Sequence, residues 1–217
     1  MKTSKLCLIS LCVALIAMSA TCSYAANMLP DGGFTTVPSS LTDEGSTWLT
    51  GNTWVFQNVR ADGGNELGVL NQVAGVSGGY AAQITRGSGN SWLALSSGAV
   101  QVTAGQSYNF SFWMKLNDPL LDTWGNVASF GNSDFTDWKG NTLQILTNRT
   151  EGWVHYQGVY TAPTGANYAQ VQFCTNYAGT VATVSDVYLG AVPEPGSMAA
   201  VLSGFVGLIG FATRRRK

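Results

Sequence analysis

Short runs of Val, Thr, Tyr, Phe and Trp alternate along this chain with clusters of Gly, Asn, Asp and Ser, and long helical periodicity is absent. That pattern predicts strands joined by turns, in an antiparallel sandwich or barrel. In Tyr108-Asn109-Phe110-Ser111-Phe112-Trp113-Met114-Lys115 the period of two places Tyr108, Phe110, Phe112 and Met114 on one face, which must be core. Asn109, Ser111, Trp113 and Lys115 share the other face. The run from Trp153 to Tyr160 divides the same way, with Val154, Tyr156 and Tyr160 against Trp153, His155 and Gln157. Ala169, Val171 and Phe173 oppose Gln170, Gln172 and Cys174. Thr103-Ala104-Gly105-Gln106 and Ala162-Pro163-Thr164-Gly165 read as turns between these strands. One face of the sheet is therefore expected to be apolar and the other polar with interspersed aromatics.

The two ends break this pattern. Lys2 and Lys5 precede an almost unbroken apolar run, Leu6 through Met18, and Ser23-Tyr24-Ala25 fits the small-x-small pattern of a secretion signal. The expected cut follows Ala25, so the mature chain begins at Ala26. The apolar run is shorter than the ~20 residues of a spanning helix, and Thr21 before Cys22 does not suit a lipoprotein site. Cys7, Cys12 and Cys22 leave with the signal. Cys174 alone remains, no intrachain disulfide can form, and the thiol reads as buried and inert. About 165 residues lie between the two ends, enough for one domain with a real core.

Charge narrows the function. Between Ala26 and Gly190 five basic residues stand against eleven acidic ones, a net of −6, while the terminal segments are basic. Nucleic acid calls for the opposite balance, so no nucleic-acid partner is expected.

Several segments resemble a known family in chain order. Asn27 through Phe34 looks like the opening strand of jelly-roll domains of the carbohydrate-binding-module type. Val102 through Tyr108, continuing into Phe110-Ser111-Phe112-Trp113, is similar to its central strand pair. Gly152-Trp153-Val154-His155-Tyr156 with Tyr160-Thr161-Ala162-Pro163, and then Val184 through Leu189 as a closing strand, complete the resemblance. It implies an all-β, galactose-binding-like antiparallel sandwich over residues 26–191. Many members hold a structural calcium with an acidic residue after the opening Phe and another in the closing strand. Here Thr35 and Ser185 occupy acidic positions, leaving Asp31 and Asp186 as candidate ligands. No other cofactor is expected.

Candidate chemistry is sparse. Gly75-Val76-Ser77-Gly78-Gly79 satisfies a hydrolase pattern and His155 follows in the right order, but the motif needs a strand, a strained turn and a helix. Tyr80 through Thr85 reads instead as a strand. Asp118 with Asp122, and Asp134 with Asp137, sit among turn residues and read as loop carboxylates rather than a glycosidase pair. One His and one mature Cys give no zinc spacing. The acidic stretch Asp62 to Glu66 reads as a solvated turn. No enzyme is expected.

The aromatic residues carry more weight. Trp48, Trp54, Trp92, Trp113, Trp124, Trp138 and Trp153 all fall in the body. A sugar ring presents C–H bonds on its face and hydroxyls at its rim, which suits a flat aromatic flanked by amides or charged groups. Trp113, Lys115 and Asn109, facing Trp153, His155, Gln157 and Gln172, form one candidate groove. Trp124 and Trp138, bracketing an Asp/Asn/Gly-rich loop region, form a second platform. Burial in the core is the competing expectation for every Trp.

At the far end, Val192-Pro193-Glu194-Pro195 leads into an apolar run, Met198 through Ala212, and then Arg214-Arg215-Arg216-Lys217. Residues 192–217 thus resemble the PEP-CTERM sorting signal of Gram-negative bacteria, with a motif, a hydrophobic helix and a basic end. The prolines stop helix across the junction, and the basic cluster favours the cytoplasmic side. The resemblance implies an exosortase-type partner, a membrane-held intermediate, tail removal, and delivery to the outer surface or an exopolysaccharide matrix. Two readings follow: a surface module that binds polysaccharide, or a structural biofilm or floc matrix protein with protein partners and no specific glycan site. A hydrolase is the weaker third.

Overall fold

In the computed structural model the described residues are 25–35, 40–43, 54–59, 68–86, 92–117, 123–147, 152–176 and 179–192. The signal run and the C-terminal hydrophobic helix expected from the sequence lie outside them. Ala26–Val192 forms one compact unit.

Among the described residues twelve strands run in chain order: β1 (Ser40–Asp43), β2 (Trp54–Val59), β3 (Gly68–Ala74), β4 (Tyr80–Thr85), β5 (Trp92–Ser97) and β6 (Val100–Gln101), then β7 (Ser107–Leu116), β8 (Thr123–Phe130), β9 (Trp138–Leu146), β10 (Val154–Thr161), β11 (Tyr168–Thr175) and β12 (Val181–Ala191). The first sheet has the order β1-β3-β4-β12-β7-β10. The second has the order β2-β5-β11-β8-β9, with β6 added to β11. Every pairing among the described residues is antiparallel. The two sheets pack their apolar faces together, as period-two strands require.

On β7 the alternation read from sequence is the one observed. Tyr108, Phe110, Phe112, Met114 and Leu116 are buried, and the residues between them are half-buried or exposed. Phe112 sits at the centre of an aromatic cluster, 5.0 Å from Phe173 edge-on, 5.2 Å from Phe110 and 5.3 Å from Tyr156. Gly125 on β8 leaves the room: a Cβ there would lie 2.7 Å from the Phe112 ring. Between the sheets, the Tyr160 and Ser129 hydroxyls share a buried hydrogen bond of 2.9 Å. The turns at Gly105 and Gly165 adopt φ of +82° in both cases, which glycine takes without strain.

The opening segment differs from expectation. No strand forms over residues 27–34; residues 30–33 make a turn, with Asp31 and Phe34 at positive φ, +51° and +55°. It is still tied to β12. Asn27 Oδ1 accepts from the Leu29 and Leu189 amides at 3.1 Å, and its Nδ2 donates to the Val187 carbonyl at 2.8 Å. Trp54 donates its indole N–H to the Asp31 carbonyl at 3.0 Å and packs on Phe34, sealing that end of the core.

Candidate functional site

The sequence-derived site residues divide between two outward faces. On the first sheet, Trp113 pairs with His155 across β7 and β10, and their rings lie 4.9 Å apart. Gln157 pairs with Ser111 in the next outward position, and Asn109 lies beyond, opposite Val159. On the β12 side Trp113 meets Ser185 and Lys115 meets Thr183, which in turn pairs with Gln83 of β4. Beside Lys115, Trp153 closes a cavity of about 340 Å³ lined also by Val73, Gln83, Asn117 and Thr183. Trp153 and Lys115 are thus neighbours on one face, as alternation predicts.

Gln172 is not part of that groove. It belongs to β11 in the second sheet, on the opposite side of the sandwich. There it joins a run of amides. Asn126 Nδ2 donates to Gln172 Oε1 at 3.0 Å and contacts Asn141 Oδ1 at 3.3 Å. Gln172 Nε2 donates to Gln170 Oε1 at 2.7 Å, and Gln170 Nε2 donates to the Ser97 carbonyl at 2.9 Å. Small residues surround the ladder, since Ala94, Ser96 and Ala128 point outward in the adjoining register positions. Asn126 and Gln170 are buried and Gln172 is half-buried, so the ladder forms a floor with one rung partly open.

Aromatics stand at both ends of this floor. Half-buried Trp124 pairs with Cys174 at one end, and Phe130 pairs with half-buried Tyr168 at the other. Trp138 pairs with Phe130 on β9 and is 62 % exposed. Trp124 and Trp138 therefore do not form one platform around a loop. They mark opposite ends of β8, six residues or about 20 Å apart. Burial pushes the Cys174 thiol up to about 12, which makes it inert at neutral pH. The side chain of Trp92 and all of Trp48 lie outside the described residues.

Ser77 lies in the turn between β3 and β4, where the Gly75 amide bonds the Gly79 carbonyl at 2.9 Å. Its hydroxyl donates directly to Asp186 Oδ2 at 2.7 Å, while His155 lies tilted against Trp113 two strands from β12. No imidazole stands between this serine and this carboxylate, so the contact is not a nucleophile relay. Asp186 occupies a bulge, with φ +49°, between the Ser185–Trp113 and Tyr188–Ser111 pairs.

Asp31 Oδ1 accepts from the Thr35 amide at 2.7 Å and from the Thr35 hydroxyl at 2.6 Å. Among the described residues there is no group of three or more His, Cys, Asp or Glu able to hold a metal. Hydroxyls already bind both candidate carboxylates, and calcium needs six to eight oxygens with more than one charge. Among the described residues no carboxylate cluster is assembled around these two.

At the C-terminal edge the Val192 amide donates to the Ser107 carbonyl at 2.9 Å, and Gln106 Nε2 donates to the Val192 carbonyl at 3.2 Å. Pro193, Glu194, Pro195 and Arg214, Arg215 and Arg216 lie outside the described residues, and Ala25 and Ala26 are the first two inside them.

A two-sheet antiparallel jelly roll with an amide-floored outer face and aromatics at its ends has the architecture of a carbohydrate-binding module. Residues 55–180 match the carbohydrate binding domain model, and the chain belongs to that family. Residues 191–217 match the PEP-CTERM protein-sorting motif, which marks secreted proteins sorted to the cell surface in Gram-negative bacteria. Among solved structures, a CBM4 module aligns over 76% of this chain and 99% of its own at 16% identity, with a TM-score of 0.50. A candidate sugar-binding protein from Bacteroides thetaiotaomicron aligns over 76% of this chain and 100% of its own at 12% identity, TM-score 0.52. The enzymatically active domain of bacteriophage CBA120 tailspike protein 4 gives 12% identity and TM-score 0.52 over 76% of this chain. This chain spans only 21% of that tailspike chain. These likenesses concern the fold. Among curated proteins, none matches.

Proposed function

We propose that this is a non-catalytic glycan-binding protein of the cell surface or exopolysaccharide matrix, and that its ligand lies along the outer face of the second sheet. The observation that carries the reading is the ladder Asn126–Gln172–Gln170. Outward-facing amides that hold one another in place offer pre-oriented donors and acceptors, which rim hydroxyls of a sugar require. Trp124 and Tyr168 add flat faces for the C–H bonds at either end. Their separation of about 20 Å suits an oligosaccharide rather than one ring.

In this reading residues 1–25 are removed on export, residues 26–191 are the module, and residues 192–217 are a temporary address. An exosortase-type enzyme takes the membrane-held intermediate and releases the module. Affinity electrophoresis of the exported protein against a panel of polysaccharides, including those of its own host, tests the proposal. Retardation by at least one, lost in Gln172→Ala, is expected; no retardation by any sinks it.

A second reading, a matrix protein with protein partners, is favoured by one observation. Trp138 and Leu146 are exposed on β9, an edge strand of the second sheet. It predicts that substituting both weakens cell aggregation while polysaccharide binding stays intact.

A further inference from the structure

The face opposite the amide ladder carries its own binding chemistry. Its cavity of about 340 Å³ lies at the low end of the range for small-ligand sites, roughly 300–1,000 Å³. The half-buried indole of Trp153 forms one wall. Gln83 and Thr183 meet in the floor, where Gln83 Nε2 contacts Thr183 Oγ1 at 3.4 Å. That contact leaves the Gln83 carbonyl oxygen as an acceptor.

The rim is held rigidly. Asn117 Oδ1 accepts from the Val181 amide at 2.7 Å, and its Nδ2 donates to the Gly179 carbonyl at 3.2 Å. This double contact pins the end of β7 to the start of β12, and with it the position of Lys115 two residues earlier.

Lys115 is the charged group. Among the described residues lining the cavity it alone carries charge, and it is exposed. It forms no ion pair among the described residues, whereas Lys139 is paired with Asp137 at 2.7 Å and Arg86 is buried. A solitary ammonium beside an indole, in a body with a net charge of −6, is a local exception to the field around it. Carboxylate and ammonium form a charge-assisted hydrogen bond. The indole takes an apolar ring face at the same time. One ligand chemistry satisfies both: a sugar ring bearing a carboxylate.

We propose that this cavity is a second glycan site, selective for an acidic sugar residue such as a uronate. Trp153 stacks on the ring, the Lys115 ammonium holds the carboxylate, and the Gln83 carbonyl accepts from a ring hydroxyl. It sits on the other sheet from the amide ladder, so the two sites fail independently.

The test uses the full-length chain in detergent, titrated calorimetrically with oligogalacturonate and with the same oligomer methyl-esterified. The acidic form is expected to bind at least about tenfold more tightly, the scale of one hydrogen bond to a charged group. That margin is expected to shrink as salt rises, because the ion pair is exposed. Lys115→Gln should remove the preference while Gln172→Ala leaves it intact. Lys115→Arg should keep it, which separates charge from packing. Equal affinity for the two oligomers, no binding of either, or an acid preference that survives Lys115→Gln would each overturn the proposal. Loss of the preference in Gln172→Ala would overturn it as well, since the acidic sugar would then occupy the ladder.

Discussion

Asn126 donates to Gln172 at 3.0 Å across β8 and β11, on the sheet that Trp113 and His155 do not belong to. The two amides differ in burial, Asn126 at 1% exposure and Gln172 half-buried. Their substitutions should therefore differ most in their effect on binding. Asn126→Ala withdraws the donor facing Gln172 Oε1 in a buried setting and should cost about 1–3 kcal/mol in urea unfolding. Gln172→Ala leaves the buried Asn126 donor and the buried Gln170 acceptor without this partner, so a stability loss of the same order is expected, together with the larger loss of glycan binding by affinity electrophoresis.

Gly125 and Phe112 set a second expectation. A methyl group at Gly125 would lie 2.7 Å from two Phe112 ring carbons and 3.1 Å from Phe173. Phe112 cannot retreat, because Phe110, Tyr156 and Phe173 surround it. Gly125→Ala should destabilise by about 1–3 kcal/mol through overpacking. Phe112→Ala should cost about 3–5 kcal/mol through the cavity it leaves. Thermal melts of the two variants would show both in the same direction, and an unchanged Gly125→Ala melt would contradict the packing.

These positions also show what the sequence makes legible. Alternation on β7 and β10 identified the inward residues because a strand exposes its two sides in strict turn. It could not tell which sheet a strand joins, since long-range pairing is absent from local periodicity. Gln172 and Trp113 both turn away from the core, yet they face outward from different sheets. The same limit separated Trp124 from Trp138: their loop was visible, but the register placing them at opposite ends of β8 was not. At the opening segment the signal was present in Pro30-Asp31-Gly32-Gly33, a run of turn formers. Family resemblance favoured a strand there, and the positive φ of Asp31 and Phe34 decides for a turn.

Thr35 and Asp31 bear on the calcium question. The Asp31 carboxylate is bound by Thr35 and the Asp186 carboxylate by Ser77, so both candidate ligands are already engaged by hydroxyls. Melting temperatures in calcium and in EDTA should therefore agree within about 1 °C. A ligand that binds only the folded state raises stability in proportion to the logarithm of its concentration. A melting temperature that climbs with calcium would show that a cage forms after all.

The last backbone contact at the C-terminal edge predicts the mature end. Val192 is fixed by Ser107 and Gln106, so a protease working on an extended substrate should cut beyond it. Mass spectrometry of the surface form should place the C-terminus after Val192. Gln106→Ala, which frees the Val192 carbonyl, should speed tail removal without changing the fold.

Cys174 contributes an alkaline loss of stability. Burial raises the thiol from 9.0 to about 12, so the folded state holds its proton where the unfolded chain has released it. Between those values unfolding releases the proton, and stability falls by about 1.4 kcal/mol per pH unit, the loss being absent below pH 9. Tyr160 acts with the same sign at higher pH, since burial raises its phenol despite the opposing Ser129 hydrogen bond. Melts from pH 8 to pH 11 should show a decline that starts near pH 9, and Cys174→Ala should delay its onset towards the tyrosine range. Iodoacetamide at pH 8 should leave the native thiol unlabelled and react once urea unfolds the chain. Rapid labelling of the native protein would mean that the Cys174 side chain is accessible in the folded state.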